Sequence, residues 1–316
     1  MSKLPMQIAI LGATSEIAKD LILSFSRNES FQLTLFARRH EAVVGWLDSI
    51  DLSKKIIVKN LDAFDVYQHF DALLNFVGVG NPAKAAVMGP SILDITYKYD
   101  SMALQYLQQN PSTRYIFLSS GAAYGSSFQE PVNQNTSAII PINCLQLQDW
   151  YGVSKLYAEC RHRSLPQFSI VDIRIFNYFS HTQDMSARFL ISDIVRAIRD
   201  KTVLNTSADY IKRDFLNPID FYQLINKILV ANPTNIAVDC FTLEPLDKPG
   251  LLLAMQEQFG LKYQTNKGAD LINATGRKPF YYSMNKAAEN FGYRPTLTSL
   301  AGISKEVDLY LQMRER

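Results

Sequence analysis

The chain has 316 residues, of which 47% are hydrophobic, and its 32 basic and 30 acidic residues are dispersed along the sequence. This length and composition can bury a large core, and the near-neutral charge balance argues against a nucleic-acid partner. No apolar run reaches membrane-spanning length and the N-terminus lacks a signal-peptide pattern, so we expect a cytoplasmic protein without a membrane partner.

The first half of the chain alternates predicted strands and helices. A buried strand ends at Leu11, a turn follows at Gly12, and the apolar positions of the next segment recur at helical spacing. Further strands are predicted at "FQLTLFA", "KIIVKN", "FDALLNFVG", "TRYIFLSS" and "FSIVDIRIFN". Helices are predicted between them, including one from about Ile92 to Gln109 and one around Tyr151.

This alternation predicts an α/β fold, a Rossmann-type doubly wound parallel sheet. Ligands of such sheets bind beyond the carboxyl ends of the strands. Four polar or small residues lie at or just beyond these predicted ends: Gly12, Asn75, Ser120 and Asn177.

The regular alternation stops near residue 177, where segments rich in Pro, Asn and Asp begin to separate shorter apolar runs. We therefore predict an NAD(P)-binding Rossmann domain over residues 1–176 and a smaller C-terminal substrate-binding lobe over residues 177–316. Part of 214–243 is expected to return to the Rossmann domain.

The turn "LGATSEIA" keeps one glycine of a dinucleotide-binding motif. Gly12 permits a tight turn, and Ser15 and Ala18 are small enough for close backbone approach. The N-terminus of the following helix offers free N–H groups to a pyrophosphate. An ordinary strand-to-helix turn is the alternative. The residues predicted to bind the cofactor here are Gly12, Thr14, Ser15, Glu16 and Ile17.

The second predicted strand ends in "FARRH", about 25 residues beyond Gly12. This position often carries an acidic residue for a ribose hydroxyl or an arginine for a 2′-phosphate. Because Arg38 and Arg39 can hold phosphate oxygens in a charge-assisted fork, the sequence favours NADP over NAD. Two solvated arginines are the alternative.

Three Tyr-x-x-x-Lys pairs occur, and the spacing does not choose among them because any residues i and i+4 share a helix face. The pairs are Tyr151/Lys155, Tyr263/Lys267 and Tyr282/Lys286.

The chain resembles extended short-chain dehydrogenases/reductases, above all the NAD(P)-dependent nucleotide-sugar epimerases and reductases. The resemblance covers nearly the whole chain and lies in the order of "LGATSEIA", "FARR", "NLDAFD", "FLSSGAAYG", "YGVSK", "IRIFN", "KRDFLNPID" and "YYSMNKAAENFGYRP". It singles out Tyr151 and Lys155, because this pair alone follows the serine-bearing strand and precedes "IRIFN". Tyr282 and Lys286 fall where the family has a surface helix.

The resemblance implies a catalytic set of Ser120, Tyr151 and Lys155. Tyr151 would exchange a proton with the sugar, and the Lys155 ammonium would lower the pKa of Tyr151 and hold the nicotinamide ribose. Ser120 would orient the reacting oxygen, with Ser119 as the competing choice.

Further roles are implied by the same resemblance. Asp62 would meet the adenine amino group, and Asn75 to Gly78 would form the loop over the cofactor. Asn177 and Arg213 would contact the substrate, Arg213 through its diphosphate. A helix cap for Asp62 and a surface ion pair for Arg213 are the alternatives. One departure is "TYKYDS", which stands where the family has Asn-x-x-Gly.

We expect NADP-dependent reduction of a nucleotide sugar of the 4-keto-6-deoxy type. Dehydratases of the family carry an Asp-Glu pair where this chain has Gly121 and Ala122. A nucleotide-sugar epimerase with retained NAD(P), or a non-catalytic NADP-sensing regulatory protein, are the alternatives. The resemblance also implies a homodimer through the Tyr151 helix. The three cysteines and four histidines show no ligand spacing, so we expect free thiols and no metal site.

Overall fold

The computed structural model describes residues 4–79, 85, 87–187, 189–266 and 278–315. Short 3₁₀ turns lie at Leu61–Ala63, Gly121–Tyr124, Ile142–Cys144 and Ala287–Phe291. The helices of the described ranges are α1 (Glu16–Ser26), α2 (His40–Asp48), α3 (Ser91–Gln109), α4 (Asp149–Arg163), α5 (Leu190–Arg199), α6 (Pro218–Val230), α7 (Lys248–Phe259) and α8 (Ser299–Glu315).

Within the described ranges, seven parallel strands form one sheet in the order β11-β6-β5-β4-β1-β2-β3. The chain reverses direction across the sheet between β1 and β4, as in a doubly wound Rossmann fold, so the predicted fold class is confirmed. The strands are β1 (Met6–Leu11), β2 (Phe31–Ala37), β3 (Ile57–Asn60), β4 (Ala72–Asn75), β5 (Arg114–Ser120), β6 (Ile170–Ile175) and β11 (Asn235–Asp239).

Shorter strands build the region beyond β6. The strand β7 (Asn177–Tyr178) pairs with β10 (Phe215–Leu216), and β8 (Val203–Ser207) pairs with β13 (Lys262–Asn266). A three-stranded group places β9 (Lys212–Arg213) between β12 (Leu246–Asp247) and β14 (Phe280–Tyr281).

The large sheet is covered on both faces, which explains the continuous apolar runs of its strands. In β1, Ile8 and Ile10 pack in the cluster that includes Phe25 of α1 and Ile228 of α6. The alternate residues Ala9 and Leu11 pack in the other cluster, with Tyr106 and Leu107 of α3. Successive side chains of a strand point to opposite faces, so β1 joins two cores.

Residues beyond 177 also contribute to the large sheet. The helix α6 packs on α1, and β11 pairs with β6 at the sheet edge. The α6 helix begins with Pro218 after Asn217, whose side chain accepts a hydrogen bond from the Asp220 N–H. The division into a domain over 1–176 and a lobe over 177–316 stays a prediction. In the described part of the chain, no helix is both long and apolar enough to cross a membrane.

We expect alanine substitutions at two helical glycines to have opposite effects. A Cβ at Gly45 in α2 meets no atom within 4 Å, so Gly45→Ala should raise the free energy of unfolding by about 0.5–1 kcal/mol. A Cβ at Gly152 in α4 would lie 2.5 Å from the Ala122 carbonyl oxygen, so Gly152→Ala should lower it by about 1–3 kcal/mol. Urea unfolding of both variants measures the two changes; equal stabilisation by both would contradict the close contact at Gly152.

Candidate active site

The predicted cofactor turn lies at the point where the sheet reverses direction. Gly12 follows β1 with a φ of +80°, and a Cβ there would lie 2.8 Å from the Phe76 carbonyl carbon and the Val77 nitrogen. Only glycine tolerates this approach in this backbone conformation. The turn after β1 therefore lies directly beside the loop after β4, which begins at Asn75.

The N-terminus of α1 opens onto this turn. Ser15 is its N-cap residue, and its side chain makes no capping hydrogen bond, so the first-turn N–H groups remain open to another acceptor. Thr14 is half-buried in the turn, and Ile17 packs its side chain against the core. The Glu16 carboxylate accepts a 2.9 Å hydrogen bond from the Asp184 N–H, and burial raises the pKa of Glu16. Glu16 can therefore meet a pyrophosphate through its backbone N–H but not through its carboxylate. The close glycine turn and the open helix end together fit a dinucleotide.

The two arginines after β2 are exposed. The side chains of Arg38 and Arg39 make no hydrogen bond or ion pair with any residue that the structure describes, and the Arg39 carbonyl accepts from the Ala42 N–H in the first turn of α2. The Asp62 N–H donates to the Asn60 Oδ1 at 2.9 Å. Asn60 is therefore the cap of this 3₁₀ turn, which removes the helix-cap alternative for Asp62 and leaves its carboxylate exposed.

The predicted catalytic side chains are close together. Ser120 ends β5, and its Oγ accepts a 3.2 Å hydrogen bond from the Ala122 N–H. A hydrogen bond between the Ser120 and Tyr151 side chains acts to lower the pKa of Tyr151. The Lys155 Nζ lies 5.7 Å from the centroid of the Tyr151 ring and donates to the Leu118 carbonyl at 2.7 Å. A Cβ at Gly78 would lie 3.5 Å from the Lys155 Nζ. The β5 serine, the α4 pair and the loop after β4 thus meet at one point.

Burial shifts the pKa of both predicted proton-transfer groups. It raises the pKa of Tyr151, and the hydrogen bond with Ser120 acts to lower it. It also lowers the pKa of Lys155 to about 8. The Lys155 ammonium donates to the Leu118 carbonyl, which sets its direction and leaves its charge in place, so the lowering of the Tyr151 pKa by Lys155 stays a prediction.

The neighbouring Ser119 has a different partner. Its Oγ donates to the Glu159 carboxylate at 2.5 Å, and Glu159 in turn binds Arg174 of β6. This buried group ties α4 to the sheet. Ser119 is thus engaged away from Tyr151, which favours Ser120 as the reacting-site hydroxyl.

The loop over the expected cofactor is shaped by Asn75. Its Oδ1 accepts from the Val77 N–H and its Nδ2 donates to the Tyr115 hydroxyl, both at 2.9 Å. Both ends of the side chain therefore have a partner, and the Asn75 amide shapes the start of the loop. The Tyr115 hydroxyl in turn donates to the Asp100 carboxylate. That carboxylate is hydrogen-bonded to the His162 Nε2 at 2.7 Å.

The resemblance suggested two substrate residues, Asn177 and Arg213. In the described ranges, the Asn177 side chain has a hydrogen-bond partner and the Arg213 side chain has none. The Asn177 Nδ2 donates to the Asp214 carbonyl at 3.0 Å. Arg213 is buried, and burial lowers its pKa to about 10. It has no hydrogen bond or ion pair within the described ranges and lies 5.3 Å from the Tyr281 ring centroid. The surface ion-pair alternative for Arg213 is therefore wrong.

Sequence reasoning missed two members of the site. The Tyr281 hydroxyl lies 3.3 Å from the Ser120 Oγ, and the Lys278 Nζ lies 4.7 Å from the Tyr281 ring. Burial, followed by the charge of Arg213, lowers the pKa of Lys278 to about 8. A cavity of about 200 Å³ lies beside them, lined by Ala122, Gly125, Ser126, Ile139, Asp149 and Lys278 among others. Tyr281 is the first residue of the segment "YYSMNKAAENFGYRP", but that segment does not indicate a contact with Ser120, which lies 161 residues earlier.

The Tyr282 and Lys286 side chains have other neighbours. The Lys286 ammonium lies 3.5 Å from the Phe241 ring, away from Tyr282, whose ring is near Lys212. Lys267 is outside the described residues. Over the described ranges, no group of three or more His, Cys, Asp or Glu side chains could hold a metal ion.

The fold and this serine, tyrosine and lysine set define a Rossmann-type oxidoreductase or epimerase class. The profile of the NAD dependent epimerase/dehydratase family matches residues 8–238, and the chain belongs to that family. It is therefore an enzyme that uses a nicotinamide dinucleotide. A search of curated protein sequences finds no significant match.

Solved structures show the same fold at low sequence identity. UDP-glucuronic acid 4-epimerase from Bacillus cereus, in complex with UDP-glucuronic acid and NAD, is 17% identical with a TM-score of 0.79, covering 98% of this chain and 100% of that one. UDP-N-acetylglucosamine 4-epimerase from Methanobrevibacter ruminantium M1 is 12% identical with a TM-score of 0.80, covering 99% and 100%. dTDP-glucose 4,6-dehydratase from Bacillus anthracis, in complex with NAD, is 14% identical with a TM-score of 0.77, covering 98% of each chain.

The buried His162 behind the site gives a pH prediction. Burial opposes its charge, but Asp172 and Asp100 prevail and raise its pKa from 6.5 to about 9. A raised pKa stabilises the folded state fully below about pH 6.5, and this contribution is lost as the pH rises through 9. His162→Gln should therefore cost on the order of 2–3 kcal/mol more at pH 6.5 than at pH 9.5, measured by urea unfolding. Exposed His69→Gln is the control, and the same cost for His162→Gln at both pH values would contradict a charged His162.

Proposed function

We propose that this protein is an NADP-dependent oxidoreductase that reduces a ketosugar nucleotide of the 4-keto-6-deoxy type, with Tyr151 as the proton donor. The observation that carries this proposal is the meeting of Ser120, Tyr151 and Lys155 beside the Gly78 loop at the carboxyl edge of the sheet. The dinucleotide would be held by the Gly12 turn, the α1 N-terminus and, at its adenine end, Asp62.

The chain's own groups suit such a reaction. A bound nicotinamide supplies the hydride. Tyr151 stays protonated at neutral pH because burial raises its pKa, so its hydroxyl can give a proton to the oxygen of the reacting carbon. The Ser120 hydroxyl can hold that same oxygen, and Lys155 lies within reach of a ribose placed over Gly78.

A buried arginine and a half-buried lysine support a substrate with a diphosphate. Arg213 and Lys278 flank the Tyr281 ring, and neither has an anionic hydrogen-bond partner among the described residues. Keeping two such charges close together is unfavourable unless an anion joins them. A nucleotide diphosphate provides that charge, and Arg213 can bind it through a bidentate fork. Asn177 would contribute through its backbone or after release from the Asp214 carbonyl.

The surroundings of Ser120 argue against dehydration. Gly121 and Ala122 supply no acid or base for the elimination of water. A Cβ at Gly121 would lie 2.5 Å from the Phe176 ring, so this position has no room for a carboxylate side chain.

An epimerase with retained NAD(P) is the second candidate. It is supported by the solved structures of similar fold, which include the two 4-epimerases named above. The homodimer implied by the resemblance stays a prediction. The helices α3 and α4 pack side by side and expose Tyr97 and Tyr157, so this face is where a second copy would be sought.

Replacing Tyr151 tests the catalytic proposal. With NADPH and a panel of 4-ketosugar nucleotides, Tyr151→Phe should lower kcat/KM by about 10²–10⁴-fold, because it removes the proton donor but keeps the ring. NADPH binding should hardly change, and exposed Tyr67→Phe is the control. Unaltered function together with unaltered NADPH binding would support the sensor reading and contradict the catalytic one. Interconversion of a nucleotide sugar without added cofactor, with no NADPH oxidation, would favour the epimerase.

The two arginines after β2 test the cofactor preference. If Arg38 or Arg39 holds the 2′-phosphate, the Arg38→Ala/Arg39→Ala variant should bind NADPH more weakly by roughly 1.5–3 kcal/mol per contact, with NADH binding almost unchanged. The preference for NADPH should also fall as salt rises, because both side chains are exposed. Arg27→Ala, an exposed arginine at the far end of α1, is the control. Fluorescence titration of both cofactors would contradict the assignment if both lost affinity equally or neither did.

A further inference from the structure

The Ser120 hydroxyl lies between two phenols. On one side it is hydrogen-bonded to Tyr151, and on the other its Oγ is 3.3 Å from the Tyr281 hydroxyl. Tyr281 is 8% exposed and belongs to β14, more than 150 residues after Ser120 in the chain. Tyr151 is the proton donor of the proposed function, whereas that function gives Tyr281 no role.

The Ser120 hydrogen bond acts to lower the pKa of both phenols, but the serine can donate its proton to only one of them at a time. Ser120 has one hydroxyl proton, and its Oγ already accepts from the Ala122 N–H at 3.2 Å. Burial raises the pKa of Tyr281, so its phenol keeps its proton over the working pH range. A buried phenol O–H needs an acceptor, and within the described ranges the side-chain acceptor that it reaches is the Ser120 Oγ. With Tyr281 donating, the Ser120 proton is left for Tyr151.

This direction matters for Tyr151. Burial raises the pKa of Tyr151, and the Ser120 hydrogen bond is what opposes that effect. The Lys155 ammonium is occupied by the Leu118 carbonyl. A serine that turned its proton toward Tyr281 instead would leave the Tyr151 oxygen without this donor.

We propose that Tyr281 is a positioning residue of the active site: its phenol donates to the Ser120 Oγ and thereby directs the Ser120 proton to Tyr151 and to the oxygen of the reacting sugar carbon. This inference rests on the proposed function. It assigns to the C-terminal segment a part in the proton transfer, in addition to its expected part in substrate binding.

The Tyr281 ring is held independently of its hydroxyl. It packs at 4.7 Å against Phe128 and at 5.1 Å against Phe176, and Arg213 and Lys278 approach it at 5.3 and 4.7 Å. The backbone of Tyr281 is in register with Arg213 through the pairing of β14 with β9. Tyr281→Phe should therefore remove one hydroxyl and leave the packing in place.

A double-mutant cycle with Ser120→Ala tests the inference. Tyr281→Phe should lower kcat about 10-fold with KM nearly unchanged, as expected for a lost hydrogen bond that acts on the chemical step. The limb of the pH–rate profile assigned to Tyr151 should move up by about 1 pH unit. In the Ser120→Ala background, Tyr281→Phe should add no further loss, because its effect passes through Ser120. Tyr282→Phe, the next residue, is the matched control and should behave as the wild type.

A substrate-free measurement separates this inference from the proposed function. The phenolate absorbance of Tyr151, obtained as the difference between proteins with and without Tyr151→Phe, should titrate at higher pH when Tyr281 is replaced by Phe. That shift without turnover of any nucleotide sugar would support the inference and count against the proposed function. Turnover with an additive loss in the double mutant and an unshifted titration would overturn the inference alone. A change confined to KM would also overturn it, because it would make Tyr281 a substrate contact.

Discussion

The contact between α4 and the end of β5 decides the geometry of the whole site. Gly152 lets the helix approach the Ala122 carbonyl so closely that no side chain fits between them. The Glu159 carboxylate, held by Ser119 and Arg174, fixes the same helix about two turns further along. These anchors set where Tyr151 and Lys155 stand relative to Ser120. A cofactor or substrate would meet a proposed catalytic set whose positions are fixed by backbone packing.

Several charged side chains are removed from solvent, and they differ in how far nearby carboxylates compensate their charge. His162 is compensated on both sides by carboxylates, so it is charged and links α4 to α3 and β6. Lys155 is compensated less completely, and burial lowers its pKa to about 8. Arg213 and Lys278 have no carboxylate in direct contact within the described ranges. The first case stabilises the fold, whereas the last leaves two cations ready for an anionic ligand.

The residues after 177 complete the site as well as cover it. The β14 strand brings Tyr281 to the Ser120 hydroxyl, and β9 brings Arg213 to 5.3 Å from the centroid of the same ring. The proposed proton donor and the proposed diphosphate site are thus connected through one aromatic side chain. A substrate that binds Arg213 would lie next to the Tyr281 ring, whose hydroxyl contacts Ser120. Binding and proton transfer would then be coupled by packing, without movement of the large sheet.

The amino-acid sequence by itself determined the order of elements and the parallel sheet, because apolar periodicity and turn residues are local signals. It also placed Gly12, Asn75 and Ser120 at the carboxyl ends of strands, which meet at one edge of a parallel sheet. Tyr151 and Lys155 lie on a helix and were singled out by the family resemblance. The sequence did not determine where the Lys155 ammonium points, since its partner, the Leu118 carbonyl, lies 37 residues earlier in the chain. It could not reveal Tyr281 or the unpaired state of Arg213, because both arise from contacts between segments far apart in the chain. Only the tertiary structure decides which partner a buried polar group finds, and that choice sets its protonation and its role.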